Sequence, residues 1–314
     1  MTANRSSSNA GQQHINVRQN EQIFLELLHA ADVAHERAQS WEIARAVVAL
    51  ASSCGSLIAA FLHGLAITMS IVGGSGSVAL LGMTFVSQAR TKEATKIQER
   101  FDAELFGLHL NSEFNPLPTD EEVGRLARRY HKEEKRDWYI DVSELPRPYA
   151  VLLCQRENLL WDWPLRRKWA SLLLKTATGW GILGLMIALL ADWTTRELLL
   201  RWMIPSLPGL ILAANLVAKN RQVARDKQQL ALHIDERLGV LPAVNPGQTL
   251  PTRQHSKLMS DCRIYQDRIF HWRNHAERVP GFLYRRQRTE DEDLARTVGS
   301  RLRARLLGGQ QTER

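Results

Sequence analysis

The densest set of chemistry-bearing side chains is the run Cys154-Gln155-Arg156-Glu157-Asn158, followed closely by Trp161 and Asp162. Arginine grips phosphate through its planar fork and tryptophan stacks on bases, so Arg156, Asn158, Trp161 and Asp162 form a candidate polar sensing site. The same residues also suit a helical bundle in which Arg156 pairs with Asp162 and Trp161 fills the core. His271 and His275 stand four apart, a spacing that can hold a metal on one helix face, but the Glu of a His-Glu-x-x-His site is missing between them. A partly exposed helix surface is the competing reading. No Gly-x-Ser-x-Gly, Walker loop or paired-acid motif on an apolar segment is present, so no catalytic residue, metal or cofactor is expected, and the chain reads as a non-enzyme. Cys54, Cys154 and Cys262 are far apart in sequence and form no paired motif, which fits a reducing compartment.

These groups are arranged around Ala46–Ala89, which contains no Asp, Glu, Lys or Arg between Arg45 and Arg90. One membrane crossing takes roughly 20 apolar residues, so the run is long enough for a hairpin of two helices. A turn near His63-Gly64 leaves both helices long enough to span. A turn at Gly73-Gly74-Ser75-Gly76-Ser77 leaves too few residues before Arg90. Ser52, Ser56, Ala60 and Gly64 recur every four residues as a small-residue stripe, either for packing against another helix or simply because small residues are common in spans. His63 reads as an interfacial polar cap. A second hairpin is expected from about Ala170–Ala191 and Trp202–Ala218, with Pro205 and Pro208 kinking the start of the fourth span. Asn215 is the strongly polar residue of that span, either lining a polar path or joining helices. With no ionisable relay inside the spans, a proton pump or coupled transporter is disfavoured.

The expected fold class is an all-α integral membrane protein with two transmembrane hairpins, four spans in all, and a cytoplasmic helical module. Residues 1–45 are expected to hold a disordered start and a cytoplasmic amphipathic helix, 46–89 the first hairpin and 90–168 a cytoplasmic helical segment. Residues 169–218 hold the second hairpin and 219–314 a basic helical tail. Within the middle segment, Thr119 and Glu122 fit a capping box and Asp137-Trp138-Tyr139 is expected to close the helix that follows. A last amphipathic helix is expected around Asp291–Leu307.

Residues 1–218 carry 22 basic and 22 acidic side chains, whereas 219–314 carry 19 and 11, so the tail supplies the whole net charge of +8. Basic clusters at Arg37/Arg45, Arg90/Lys92/Lys96, Arg166–Lys168 and Lys219–Lys227 mark four cytoplasmic span ends. Both termini are therefore expected in the cytoplasm, with only two short turns outside. A basic tail beside a membrane points to anionic lipid, and no nucleic-acid polymer is expected as a partner.

In its ordered motifs the chain resembles the SMODS-associated four-transmembrane effector family. The matching pieces begin with Arg18-Gln19-Asn20 ahead of Leu27-Leu28-His29-Ala30-Ala31, then Ile97-Gln98-Glu99-Arg100-Phe101-Asp102 with Phe106. Asp137-Trp138-Tyr139 follows, then Cys154–Asn158 with Trp161-Asp162 and Arg166-Arg167. The last are Tyr265-Gln266-Asp267-Arg268-Ile269 with Arg273, and Pro280 with Tyr284. The resemblance implies an effector held inactive in the bacterial inner membrane. It would oligomerise and permeabilise that membrane when a cyclic di- or trinucleotide, or a partner, engages its cytoplasmic part during phage infection. The alternative is a membrane-anchored scaffold or sensor that recruits partners through the basic tail without forming a pore.

Overall fold

The computed structural model describes residues 14–61, 66–110, 116–133, 135–275, 279–280 and 297–308. Among these residues every regular element is helical and none is a strand. A short α1 (Ile15–Arg18) precedes α2 (Gln22–Phe61) and α3 (Ala66–Phe106), which lie along one another. Next come α4 (Asp120–Ala127), α5 (Arg147–Leu190) and the short α6 (Thr195–Leu198) with a π-helical turn at Leu199–Met203. The order closes with α7 (Ile204–Gly239), α8 (Thr252–His275) and α9 at 297–306. The second long pair, α5 and α7, packs together, α2 touches α4 and α7, and α8 rests on α5 and α3.

The run 73–77 continues as helix inside α3, so the chain does not reverse at the glycines. Residues 62–65, with His63 and Gly64, lie outside the described residues, as do the side chains of Ser52, Ser56 and Ala60. Among the described residues, Arg147–Leu190 is the one helix long and apolar enough to cross a membrane by length and composition. Only 11% of its most apolar stretch of 18 residues is buried, so its leucines face outward, as in Leu189 and Leu190 at 67% and 81% exposed.

Away from those outward faces the helices meet in one core. Phe101, Phe106, Ile97, Leu27, Tyr149 and Leu152 are among its largest fully enclosed side chains. Burying each stabilises the fold by about 1.5–3 kcal/mol. Phe24 meets Phe101 edge-on, with ring centroids 6.0 Å apart. Gly107 ends α3 in the left-handed conformation (φ 68°), and Leu108 N–H returns to the Ala103 carbonyl at 2.8 Å. Arg147 donates to the freed carbonyls of Phe106 and Leu105, tying the start of α5 to the end of α3.

The predicted capping box is present: Thr119 Oγ1 accepts from Glu122 N–H and Glu122 Oε2 accepts from Thr119 N–H. Asp137-Trp138-Tyr139 does not close that helix, which ends at Ala127. Residues 137–142 form no regular element, and backbone N–H groups among them are taken up by side chains of the N-terminal segment. Asp137 and Val142 N–H donate to Asn20 and Asn16, and Tyr139 N–H donates to Gln19 Oε1 at 2.8 Å. A segment with its backbone satisfied this way carries no helical or strand period. The expected loop at Asp192–Arg201 is likewise mostly helical, started by a second capping box at Thr194 and Glu197.

Trp180 packs between α5 and the start of α7. Its Nε1–H donates to Ser206 Oγ at 2.9 Å, and its ring stacks on Trp202 at 4.7 Å. A Cβ at Gly184 would sit 2.2 Å from Trp202 Nε1, so only glycine admits the Trp202 ring there.

Candidate functional site

The motif residues quoted above converge on one buried polar network. Glu99 and Asp102, three apart on α3, point the same way into the core and are 0% and 1% exposed. Glu99 accepts from Arg263 Nη2 (2.7 Å) and Gln266 Nε2 (2.8 Å) of α8. Asp102 accepts from Arg273 Nη1 (2.5 Å), Gln266 Nε2 (3.1 Å) and the Tyr139 hydroxyl (2.6 Å). Asn158 of α5 donates to the Tyr139 oxygen at 2.7 Å, and Gln155 donates to Gln266 Oε1 and to the Cys262 carbonyl. Glu157 Oε2 accepts from Ile140 N–H, fixing segment 137–142 to α5. Elements far apart in sequence are thus held together by charge-assisted hydrogen bonds that each need the others in place.

Burial opposes a charge at Arg273, yet the adjacent Asp102 and the Tyr139 oxygen hold the guanidinium protonated above its ordinary range. Burial, with Asp102 beside it, pushes the Tyr139 hydroxyl well up, so it stays a donor. Burial pushes Glu99 up to about 7, with Arg263 and Gln266 opposing the rise and Asp102 adding to it. The folded chain therefore holds this proton more tightly than an unfolded chain, whose carboxyl titrates at 4.5. Stability from Glu99 is fully present below the unfolded value and is lost as pH rises through 7, a fall of about 3 kcal/mol. Glu99→Gln is expected to flatten the stability slope between about pH 4.5 and 7, followed as thermal unfolding of the full chain in detergent. An unchanged slope in the variant would contradict this assignment.

Of the candidate sensing motif, Arg156, Asn158 and Asp162 do not share one set of partners. Arg156 forks onto Asp235 of α7, not onto Asp162 as the bundle reading expected. Asn158 serves the buried network. The Trp161 side chain lies outside the described residues. Asp162 forms a separate clasp one turn before the outward-facing half of α5: Arg166 Nε donates to it at 2.6 Å and Lys227 of α7 bonds the same oxygen. Arg166 Nη1 also reaches Asn220 Oδ1 at 3.0 Å. Arg166 and Lys227, members of the basic clusters read as span-end markers, are 5% and 4% exposed. Burial alone would raise Asp162, but the two cations hold it well below the carboxylate range. Burial draws Lys227 down to about 8, against the pull of Asp162. Asn215 is exposed and makes no hydrogen bond among the described residues.

Two hollows lie beside α8. The larger, about 820 Å³, opens between α7 and α8, and the smaller, about 310 Å³, lies where α2, α3 and α7 meet the end of α8. Asn274 and His275 wall both. The His271 and His275 rings are 4.3 Å apart, but among the described residues no group of three or more His, Cys, Asp or Glu is arranged to hold a metal. Cys154 and Cys262 are buried thiols whose pKa burial pushes up, so they are inert core groups.

Sequence reasoning missed Glu99, Asp102, Tyr139, Gln155, Gln266 and Arg273 as partners. Their signal was the presence of buried-type polar residues at core-facing positions in separate motifs.

Comparison with known proteins bears on the same residues. A protein of Bacillus cereus (strain VD146), described as a probable CBASS effector molecule, is 25% identical over 211 residues, covering 65% of this chain and 67% of its own. No solved structure matches. The SMODS-associating 4TM effector domain matches residues 13–298, a span that takes in every motif of the network, and the chain belongs to that family.

Proposed function

We propose that this protein is a membrane effector of antiphage defence. It crosses the bacterial inner membrane four times with both termini in the cytoplasm, oligomerises, and permeabilises the membrane when a cyclic oligonucleotide or partner engages its cytoplasmic helices. The observation that carries this reading is the effector-domain match, which runs through both long apolar segments and the helices beyond them.

The geometry supports the mode of action. α3, α5 and α7 each run without a break from an apolar stretch into the buried polar network or the Asp162 clasp. A rearrangement among the polar groups therefore reaches the spans through continuous helix. The outward-facing Ile182, Leu185, Met186 and Ile211 suit lipid or a second copy. Asn215, exposed one turn before Lys219, gives an amide that a neighbouring copy can satisfy.

The test is membrane potential in bacteria co-expressing the protein with a nucleotidyltransferase that makes cyclic oligonucleotides. Depolarisation is expected only when both are induced. An intact potential with both present would overturn the reading.

A further inference from the structure

We propose that the cleft between α7 and α8 is a receptor site for a nucleotide with a phosphodiester backbone, its base in the 820 Å³ hollow and its phosphates toward the 310 Å³ hollow. This rests on the reading of the chain as a nucleotide-triggered effector and names where the trigger sits.

The larger hollow is of the size that encloses a small organic ligand. Its α8 wall offers the half-buried indole of Trp272, a stacking face for a base, beside the imidazoles of His271 and His275. Arg268 lines it too. Arg263 and Arg273 of the same helix are committed to Glu99 and Asp102, whereas Arg268 has no ion pair among the described residues. Asn274 lines it as well, its enclosed Oδ1 without a hydrogen-bond partner among the described residues. Gln229 of α7 faces it with a second amide, and His233 with a further imidazole.

Two carboxylates also line this hollow. Asp267 is occupied by Arg263 at 2.9 Å, and Asp226 is open to base N–H groups but repels phosphate. The phosphates therefore belong at the far side of Asn274 and His275. There Arg45, Lys92 and Lys219 outnumber Glu42. Those three cations come from α2, α3 and α7, at the ends of the apolar segments. A ligand held across both hollows draws the end of α8 toward three span ends at once, which couples recognition to the membrane.

The experiment is calorimetric titration of the full-length protein in phosphatidylcholine nanodiscs. Zwitterionic lipid keeps anionic headgroups away from Lys92 and Lys219. The probes are cyclic di-AMP, cyclic di-GMP, cyclic GMP–AMP and cyclic tri-AMP. One probe is expected to bind, and Arg268→Ala and Lys219→Ala are each expected to weaken it at least about tenfold. Both side chains are outside the core, and the unliganded melting temperature checks that the variants fold. Binding that neither substitution changes would put the receptor site elsewhere, overturning this proposal while leaving the effector reading intact. No binding by any probe, with synthase-dependent depolarisation preserved in cells, would also overturn the cleft assignment. Loss of both binding and depolarisation would remove the effector reading with it.

Discussion

Replacing Asp102 with Ala is expected to destabilise the protein by about 3–5 kcal/mol. Asp102 is the one anion contacting Arg273, Gln266 and the Tyr139 hydroxyl together, and its side chain is 1% exposed. Removing it leaves a guanidinium and two donors enclosed without that acceptor, and the cost is the uncompensated burial of those groups. The pair Asp102→Leu with Arg273→Met should recover part of the loss, because matched apolar groups avoid a lone buried charge. Recovery should be incomplete, since the Tyr139 hydroxyl loses the carboxylate it donates to, whereas Gln266 keeps Glu99. Thermal unfolding of the full chain in detergent measures all three variants. A loss below about 1 kcal/mol for Asp102→Ala would mean that water satisfies these groups and that the network does not hold the helices together.

The clasp at Asp162 carries a comparable expectation with a functional readout. Asp162→Ala leaves Arg166 and Lys227 facing each other with side chains only 6% and 5% exposed, at an expected cost of about 3–5 kcal/mol. The cost should shrink as pH rises. Lys227 titrates at about 8 with Asp162 beside it, so without the carboxylate it sheds its proton more readily and relieves the repulsion. Lys227→Met in the same chain should restore most of the stability at neutral pH. Because the clasp joins α5 to α7 just before their outward apolar faces, breaking it is expected to let the two helices part and to raise leakage without any ligand. A variant as stable and as tight as the parent at pH 7 would show that the clasp fastens nothing.

The long helices were legible because their determinants are local. A charge-free run from Ala46 to Ala89, the 3- and 4-residue spacing of Phe24, Leu27, Leu28 and Ala31, and the Thr119/Glu122 box each act within a turn or two. The buried polar network was not legible, because its pairings join residues far apart in sequence that carry no periodic signal. Glu99 meets Gln266 across 167 residues and Asp162 meets Lys227 across 65. Pairing inside the bundle was considered for Arg156 with Asp162, but not for Glu99 and Asp102, which are satisfied by Arg263, Gln266 and Arg273 inside the core. One signal was available: Glu99 and Asp102 share a helix face with Phe106, a position where a solvated carboxylate would not be placed. The irregular segment 137–142 was misread for a related reason. Its backbone partners are Asn16, Gln19 and Asn20, so neither a strand period nor a turn signature marks it. Arg156 meets Asp235 of α7, and Asp162 adds Lys227 of α7 to the Arg166 four residues on in its own helix; the α7 partners are ones that no spacing within α5 could reveal.

Nucleotide-gated permeabilisation is tested most directly by dye release from liposomes carrying the purified protein, with and without the same four cyclic nucleotides. Release triggered by one of them, and absent without it, is the expected result. Sealed vesicles with every nucleotide, from protein shown to be inserted, would contradict a ligand-gated pore and favour a membrane-anchored scaffold.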